Sequence, residues 1–172
     1  ATRTTQTNEI GRCALFLPTL ARLSSERGPL ALLDVGTSAG LNLLLDRYHY
    51  RYVDDTVGRP STVAPVERGS GEHRPGGDQR VELRCGTRGP VPVPTTMPSI
   101  VDRIGLDRAP LDTADSDQAD WLRACVWPDQ ADRFDRLDAA LTMAASWDPS
   151  RSTPSMKARS IFNSSAMEKW RM

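Results

Sequence analysis

The fold of this chain is most constrained by one stretch, LALLDVGTSAGLNLLLDRYHY, which begins at Leu30. It opens with a short apolar run that Gly36 closes, a length and a boundary that favour a buried parallel strand over a helix. After Gly40 the apolar residues recur with the helical period, at Leu41, Leu44, Leu45 and Tyr48. The stretch therefore predicts a strand, a tight turn and a helix, the order that borders the ligand crevice of α/β folds.

The turn in this unit, residues 34–40, has the composition of a cofactor site. Gly36 can adopt a backbone angle that a side chain forbids, and Gly40 lets the helix start close to the strand. The first N–H groups of such a helix point into the crevice at the carboxyl edge of the sheet. Asp34 can accept hydrogen bonds from a cationic or hydroxylated ligand. We therefore predict a cofactor site at Asp34, Gly36, Thr37, Ser38 and Gly40, and the alternative is a turn that binds nothing.

The spacing of the glycines bears on the identity of the cofactor. A dinucleotide fingerprint reads G-x-G-x-x-G, whereas this turn reads D-x-G-x-x-x-G. The turn resembles the first motif of class I S-adenosylmethionine methyltransferases, D/E-x-G-x-G-x-G, with Ser38 at the position of the middle glycine. That resemblance implies S-adenosylmethionine as the cofactor, and NAD remains the alternative. A kinase-type P-loop is excluded because the turn has no lysine.

A second acid supports the methyltransferase interpretation. The segment RIGLDRAP, residues 103–110, resembles the end of the second strand of those enzymes, where an acid binds the ribose hydroxyls. By that resemblance Asp107 takes this role, and Asp54 or Asp55 is the rival if nothing is inserted. With Asp107 in the role, residues 48–98 form a Pro- and Gly-rich insertion whose two short strands resemble an exposed hairpin.

The remaining patterns predict the elements around this unit. Apolar residues at helical spacing predict one helix near the N-terminus, a second that carries Trp121 and a longer third over residues 129–147. Alternation predicts a strand at residues 80–85, and a further strand is expected over residues 99–107. The predicted fold class is α/β, a partial Rossmann-like parallel sheet of the class I methyltransferase type with flanking helices.

Composition and charge argue against several other classes of protein. The 22 basic and 22 acidic residues give a net charge of zero, so the chain shows no sign of a nucleic-acid or membrane partner. The three cysteines are odd in number and widely spaced, which predicts reduced thiols in a cytoplasmic protein rather than a zinc site or disulfides. The acids between Asp112 and Asp120 lack the glycine and final glutamate of an EF-hand and predict a solvated helix start. We assign no metal ligand and no catalytic residue.

Four separated blocks of the chain resemble one family. They are QTNEIGRCALFLPTL, LALLDVGTSAGLNLLLDRYHYRY, RIGLDRAPLD and WLRACVWPDQADRFDRLDAAL. Together they resemble the actinobacterial family known as domain of unknown function 2332, from about Thr5 to Asp148. That family is similar in layout to the methyltransferases and has no settled activity, so the resemblance implies a fold and no catalytic residue.

The same resemblance implies that the chain holds part of a longer domain. Residues 1–148 are interpreted as an incomplete methyltransferase-like domain. Residues 149–172, which contain both lysines of the chain and no periodicity, are expected to be a poorly ordered tail outside the family. We therefore expect half of a cofactor site, an unidentified methyl acceptor and no methyl transfer by this chain alone. A truncated sheet also has a raw edge through which the chain can associate with itself.

Overall fold

The computed structural model describes residues 5–6, 8–55, 58, 60–65, 80–89, 91–146 and 156–160, the last of these by backbone alone. These residues form an α/β structure with strands in two sheets and with flanking helices. The helices are α1 (Cys13–Arg27), α2 (Ser116–Ala124), α3 (Ala131–Ala145) and two 3₁₀ helices, Ile10–Arg12 and Leu41–Arg47. The strands are β1 (Leu30–Val35), β2 (His49–Asp54), β3 (Pro60–Val63), β4 (Glu82–Thr87), β5 (Ile100–Asp107) and β6 (Met156–Ser160).

The first sheet has the order β1-β5-β6, and its strands are parallel. β1 pairs with β5 from Leu30 opposite Ile100 to Val35 opposite Leu106. The α/β class and the two predicted strands are thereby confirmed, and the methyltransferase type of the sheet stays a prediction. Strand β6, within the predicted tail, pairs with the other edge of β5 and is not indicated by the sequence. The rest of that tail lies outside the described residues.

The second sheet, of order β3-β2-β4, differs from the exposed hairpin that the sequence predicts. β2 pairs antiparallel with β3 and parallel with β4, so β2 and β4 are not two arms of a hairpin. The sheet also contributes to the core, because Tyr50, Tyr52 and Leu83 are buried. The alternating tyrosines give β2 one large apolar face, and the burial of that face stabilises the sheet.

The predicted helix after Gly40 is a 3₁₀ helix, Leu41–Arg47. Its Leu43 N–H donates to Gly40 O (3.0 Å), three residues back. Its carbonyl groups accept hydrogen bonds from side chains: Leu41 O from Tyr48 Oη (2.6 Å), Leu43 O from Arg103 Nη1 (2.9 Å) and Leu45 O from Tyr50 Oη (2.5 Å). These side chains stand in for the backbone donors of an α-helix, so the segment keeps the tighter winding.

A buried arginine ties this 3₁₀ helix to the first sheet. Arg103 of β5 is 0% exposed, and its Nη2 lies 2.7 Å from Asp46 Oδ2. Burial lowers the pKa of Arg103, and the charge and hydrogen bond of Asp46 act in the opposite direction. Removal of one partner from such a buried pair is strongly destabilising, so the position of the helix depends on the contact between Arg103 and Asp46.

The opposite face of the first sheet is not covered by the described residues. Leu33 and Val35 of β1 are 63% and 69% exposed, although parallel sheets are usually covered on both faces. Within the described part of the chain, β1 is also an edge strand. Self-association through this edge stays a prediction. None of the helices in the described residues has the length and apolar character that crossing a membrane requires.

We predict that Asp46→Ala lowers the free energy of unfolding by about 3–5 kcal/mol, because it leaves the Arg103 cation buried without its carboxylate. The control is Glu26→Ala, which removes the exposed partner of Arg22 (2.7 Å) and should have no measurable effect. Urea unfolding followed by circular dichroism measures both variants. A loss for Asp46→Ala as small as that of the control would contradict the role of the pair.

Alkali should destabilise the protein from about pH 9 upward. Burial raises the pKa of the Cys13 thiol from 9.0 to about 12, and burial also raises the pKa values of Tyr48, Tyr50 and Tyr52. Between the unfolded and folded pKa values, the unfolded chain has released a proton that the folded chain keeps. The free energy of unfolding therefore falls as the pH rises, by ~1.4 kcal/mol per pH unit for each such group.

The measurement is a series of urea unfolding curves from neutral pH to about pH 11 in the presence of a reductant. Cys13→Ala should flatten the decline just above pH 9, where the thiol titrates first in the unfolded chain. Equal slopes for the wild type and Cys13→Ala in that interval would show that the thiol is not buried as described.

Candidate functional site

The turn after β1 has, at Gly36, the backbone angle that the sequence predicts, and Gly40 has a similar one. Gly36 and Gly40 have φ angles of 79° and 73°, which glycine adopts without strain. Ser38 lies between them with a φ of 54°, and it is the one residue other than glycine with a positive φ in the described part of the chain. Such a conformation costs about 1–2 kcal/mol for a residue with a Cβ, so contacts elsewhere must stabilise it.

Four N–H groups of the turn are engaged within the chain. They donate as follows: Gly36 N and Thr37 N to Leu106 O (2.7 and 3.2 Å), Ser38 N to Asp107 Oδ2 (2.8 Å) and Gly40 N to Thr37 O (2.8 Å). A phosphate-binding turn presents such groups to its ligand. These four residues therefore do not form a cradle of free donors.

Asp107 lies where the sequence places it, at the carboxyl end of β5 beside the turn. Its two carboxylate oxygens accept hydrogen bonds from Ser38 N (2.8 Å) and Ala109 N (2.9 Å). The residue is buried, with 9% of its surface exposed. In this arrangement Asp107 joins the turn to the segment that follows β5, a structural role that the sequence comparison did not predict.

The rival acids belong to a different part of the molecule. Asp54 ends β2 in the second sheet, and Asp55 follows it. The Asp55 carboxylate lies near Gly86 and 4.0 Å from Arg88 Nε. Asp107 is thus the acid that the fold brings to the turn. Binding of a ribose by Asp107 stays a prediction.

Asp34 carries an acceptor that the described chain leaves unused. Its Oδ2 atom is buried and has no hydrogen-bond partner among the described residues. Its charge reaches Cys13 at the start of α1, where it is the largest cause after burial of the raised pKa of that thiol. Thr37 Oγ1 is a second buried atom of the turn without a partner in the described residues. The end of β1 and the turn that follows it therefore hold two buried polar atoms without a partner among the described residues, and Asp34 adds a negative charge.

Two further residues, Gly105 and Asn8, hold the turn, and the sequence analysis assigned neither of them to it. Thr37 packs onto Gly105 of β5, where a Cβ would lie 2.6 Å from Thr37 Cγ2. Asn8 donates from Nδ2 to Ser38 Oγ (2.8 Å), and both side chains are buried. A glycine inside a strand is a signal of close approach and could have indicated the first contact. No signal in the sequence connects Asn8 to a residue 30 positions away.

The other polar residues considered in the sequence have structural roles. Asp115 caps α2, since its side chain accepts from Asp117 N (3.0 Å) and Gln118 N (3.3 Å). Asp112 Oδ1 accepts from Ala114 N (2.9 Å), so Asp112 lies in the turn that leads into the predicted helix. The three cysteines are free, as predicted. The described residues contain no cluster of histidine, cysteine and acidic side chains that could hold a metal ion.

A surface cavity of about 510 Å³ lies at the N-terminus of α3 and includes none of the predicted site residues. Glu9, Arg133 and Arg136 are among the residues that line it. Glu9 Oε2 lies 3.0 Å from Arg133 Nε, and Glu9 Oε1 lies 3.6 Å from Arg136 Nη2. Glu9 therefore pairs with two arginines of α3 and joins the N-terminal segment to that helix.

We predict that Gly105→Ala lowers the free energy of unfolding by about 1–3 kcal/mol, because the new methyl group displaces Thr37 and the turn above it. Removal of the clashing atoms by Thr37→Ala should restore much of that loss. Gly36→Ala is the control, since open space surrounds its Cβ position and its cost comes from φ alone. Thr37→Ala should not restore the stability of Gly36→Ala. Equal behaviour of the two glycine variants in urea unfolding would contradict the packing of Thr37 on Gly105.

Comparison with known proteins gives one informative result. No curated protein and no solved structure matches the chain. The model of one family, described as "Uncharacterized protein conserved in bacteria (DUF2332)", matches residues 1–155. This match covers most of the chain and includes the turn, Asp107 and Asn8. The chain therefore belongs to this family of uncharacterized bacterial proteins.

Proposed function

We propose that the chain binds S-adenosylmethionine at the carboxyl edge of β1 and β5, as a methyltransferase-like half-site. One observation carries the proposal: Asp34, near the end of β1, has a buried carboxylate oxygen without a partner among the described residues, while four N–H groups of the turn that follows are engaged. A site of this kind recognises a ligand through acceptors and negative charge. It therefore favours a cationic ligand that carries hydrogen-bond donors.

The same observation separates the two cofactors considered from the sequence. A dinucleotide places its pyrophosphate against free backbone N–H groups at the turn and the helix start. Here the N–H groups of Gly36, Thr37, Ser38 and Gly40 already have acceptors, and the helix that follows is a short 3₁₀ helix. S-adenosylmethionine carries an ammonium group, a sulfonium, ribose hydroxyls and a single carboxylate, and no phosphate. The turn suits it better than NAD.

The residues present fit the groups of this cofactor. The charge of the Asp34 carboxylate attracts an ammonium group or a sulfonium, and its Oδ2 can accept a hydrogen bond from the ammonium once the ligand reaches this buried atom. Asp107 already holds Ser38 N and Ala109 N, yet each carboxylate oxygen has a second acceptor site, so a ribose hydroxyl adds a contact without displacing either N–H. When bound, the cofactor supplies an activated methyl group. The chain contributes binding and orientation.

The proposal is that this chain binds the cofactor but does not transfer its methyl group. The strands β5 and β6 lie on one side of β1, and no described strand lies on its other side. A crevice bounded on one side orients a cofactor less completely than a closed site does. No described residue is identified as acting on a methyl acceptor. The acceptor, the cytoplasmic location and the actinobacterial origin stay predictions.

We predict that isothermal titration calorimetry detects binding of S-adenosylmethionine and not of NAD. Asp34→Asn keeps the shape of the side chain but removes its charge, so it should weaken S-adenosylmethionine binding at least about tenfold. Asp112→Asn is the matched control at an acid in the turn before α2, and its affinity should equal that of the wild type. Circular dichroism and urea unfolding verify that each variant is folded.

Three results would overturn the proposal. The first is an absence of heat with S-adenosylmethionine at a protein concentration that reports millimolar affinity. The second is equal affinity for the wild type and Asp34→Asn. The third is tighter binding of NAD than of S-adenosylmethionine, which would mean that the engaged N–H groups rearrange for a phosphate.

A further inference from the structure

Ser38 is held at three of its atoms. Its N–H donates to Asp107 Oδ2 (2.8 Å), its carbonyl accepts from Leu111 N (3.1 Å), and its Oγ accepts from Asn8 Nδ2 (2.8 Å). The residue is buried and has the left-handed φ of 54°. A residue with a Cβ keeps the left-handed conformation only where contacts with its surroundings outweigh the energetic cost of that conformation. These three contacts supply that restraint.

Only one of the three contacts depends on the side chain of Ser38. The bonds to Asp107 and Leu111 use backbone atoms, which any residue at this position would offer. The bond from Asn8 uses the hydroxyl and would be lost with glycine. Asn8 is 6% exposed, so water does not readily replace Ser38 as the hydrogen-bond partner of its amide. The pair of Asn8 and Ser38 is therefore a matched unit.

We infer that Asn8 is the positioning residue of the cofactor turn. By holding the hydroxyl of Ser38, it keeps that residue in the left-handed conformation in which Ser38 N–H reaches Asp107. The N-terminal segment thereby supplies the restraint that makes a serine acceptable at a position where glycine would adopt the conformation unaided. The part of this inference that concerns ligand affinity rests on the proposed function. The part that concerns the turn stands on the geometry alone.

The test is a cycle of Asn8→Leu, Ser38→Gly and the double variant. Leucine nearly matches asparagine in shape but cannot donate, so Asn8→Leu leaves the hydroxyl of Ser38 without its partner. We expect the Ser38 amide proton to exchange about tenfold faster in Asn8→Leu, the equivalent of one buried hydrogen bond at ~1.4 kcal/mol. In the Ser38→Gly background the same substitution should change the exchange of the amide at position 38 less than about twofold, because no hydroxyl remains to be held.

Asn42→Leu is the matched control. Asn42 lies in the 3₁₀ helix that follows the turn, and its Oδ1 accepts from Cys13 Sγ (3.4 Å). Its substitution therefore also removes a side-chain amide contact close to the turn. Its effect on the amide at position 38 should be the same in the wild-type and Ser38→Gly backgrounds. Asn8→Asp tests rescue: the aspartate can accept a hydrogen bond from the Ser38 hydroxyl and should retain most of the protection. It also keeps the cycle informative if Asn8→Leu does not fold.

Amide exchange is measured by NMR without ligand, and the affinity for S-adenosylmethionine is measured by calorimetry on the same variants. If the wild type binds no S-adenosylmethionine, the proposed function fails, and the exchange cycle still decides the role of Asn8. Faster exchange in Asn8→Leu that glycine at position 38 removes supports the inference. Unchanged exchange in Asn8→Leu, or an equal increase in both backgrounds, would overturn it. Loss of protection in Asn8→Asp equal to that in Asn8→Leu would overturn it as well.

Discussion

The parallel register of β1 and β5 determines where every group of the turn lies. Val35 pairs with Leu106, so the chain leaves β1 one residue before Asp107 on the neighbouring strand. Leu106 O then accepts from both Gly36 and Thr37, and the Asp107 carboxylate accepts from Ser38. A shift of one residue would reverse the faces of the strand and remove these partners together. The turn is thus fixed by strand pairing before any ligand is considered.

The core beside this sheet is stabilised by polar contacts that lie inside apolar packing. Arg103 extends from β5 to Asp46 and to the carbonyl of Leu43, while tyrosine hydroxyls bind two further carbonyls of the 3₁₀ helix. Each tyrosine contributes a large apolar surface and meets the hydrogen-bonding need of its hydroxyl at the same contact. The result is a helix whose winding is imposed from outside its own segment.

The arrangement of donors and acceptors at the turn limits the chemistry of a ligand. Engaged N–H groups do not favour phosphate, and a buried, unused carboxylate oxygen on Asp34 favours a cation or a hydroxyl. Ser38 and Asn8 are both buried and are bonded to one another, which ties the N-terminal segment to the turn. Membership of a family of uncharacterized bacterial proteins adds no activity to this picture, so the case for a cofactor rests on these atoms.

Local patterns in the sequence suffice to predict the α/β class, strands β1 and β5, the position of the turn and the unusual backbone angle of Gly36. These features depend on hydrophobic period and on backbone sterics, which act over a few neighbouring residues. Three other features depend on long-range contacts. The helix after Gly40 is a 3₁₀ helix, β2 and β4 lie parallel in a second sheet, and Asn8 holds Ser38. Each of these features depends on a partner that is distant in the chain. A local sequence pattern carries no information about which distant donor or strand packs against it.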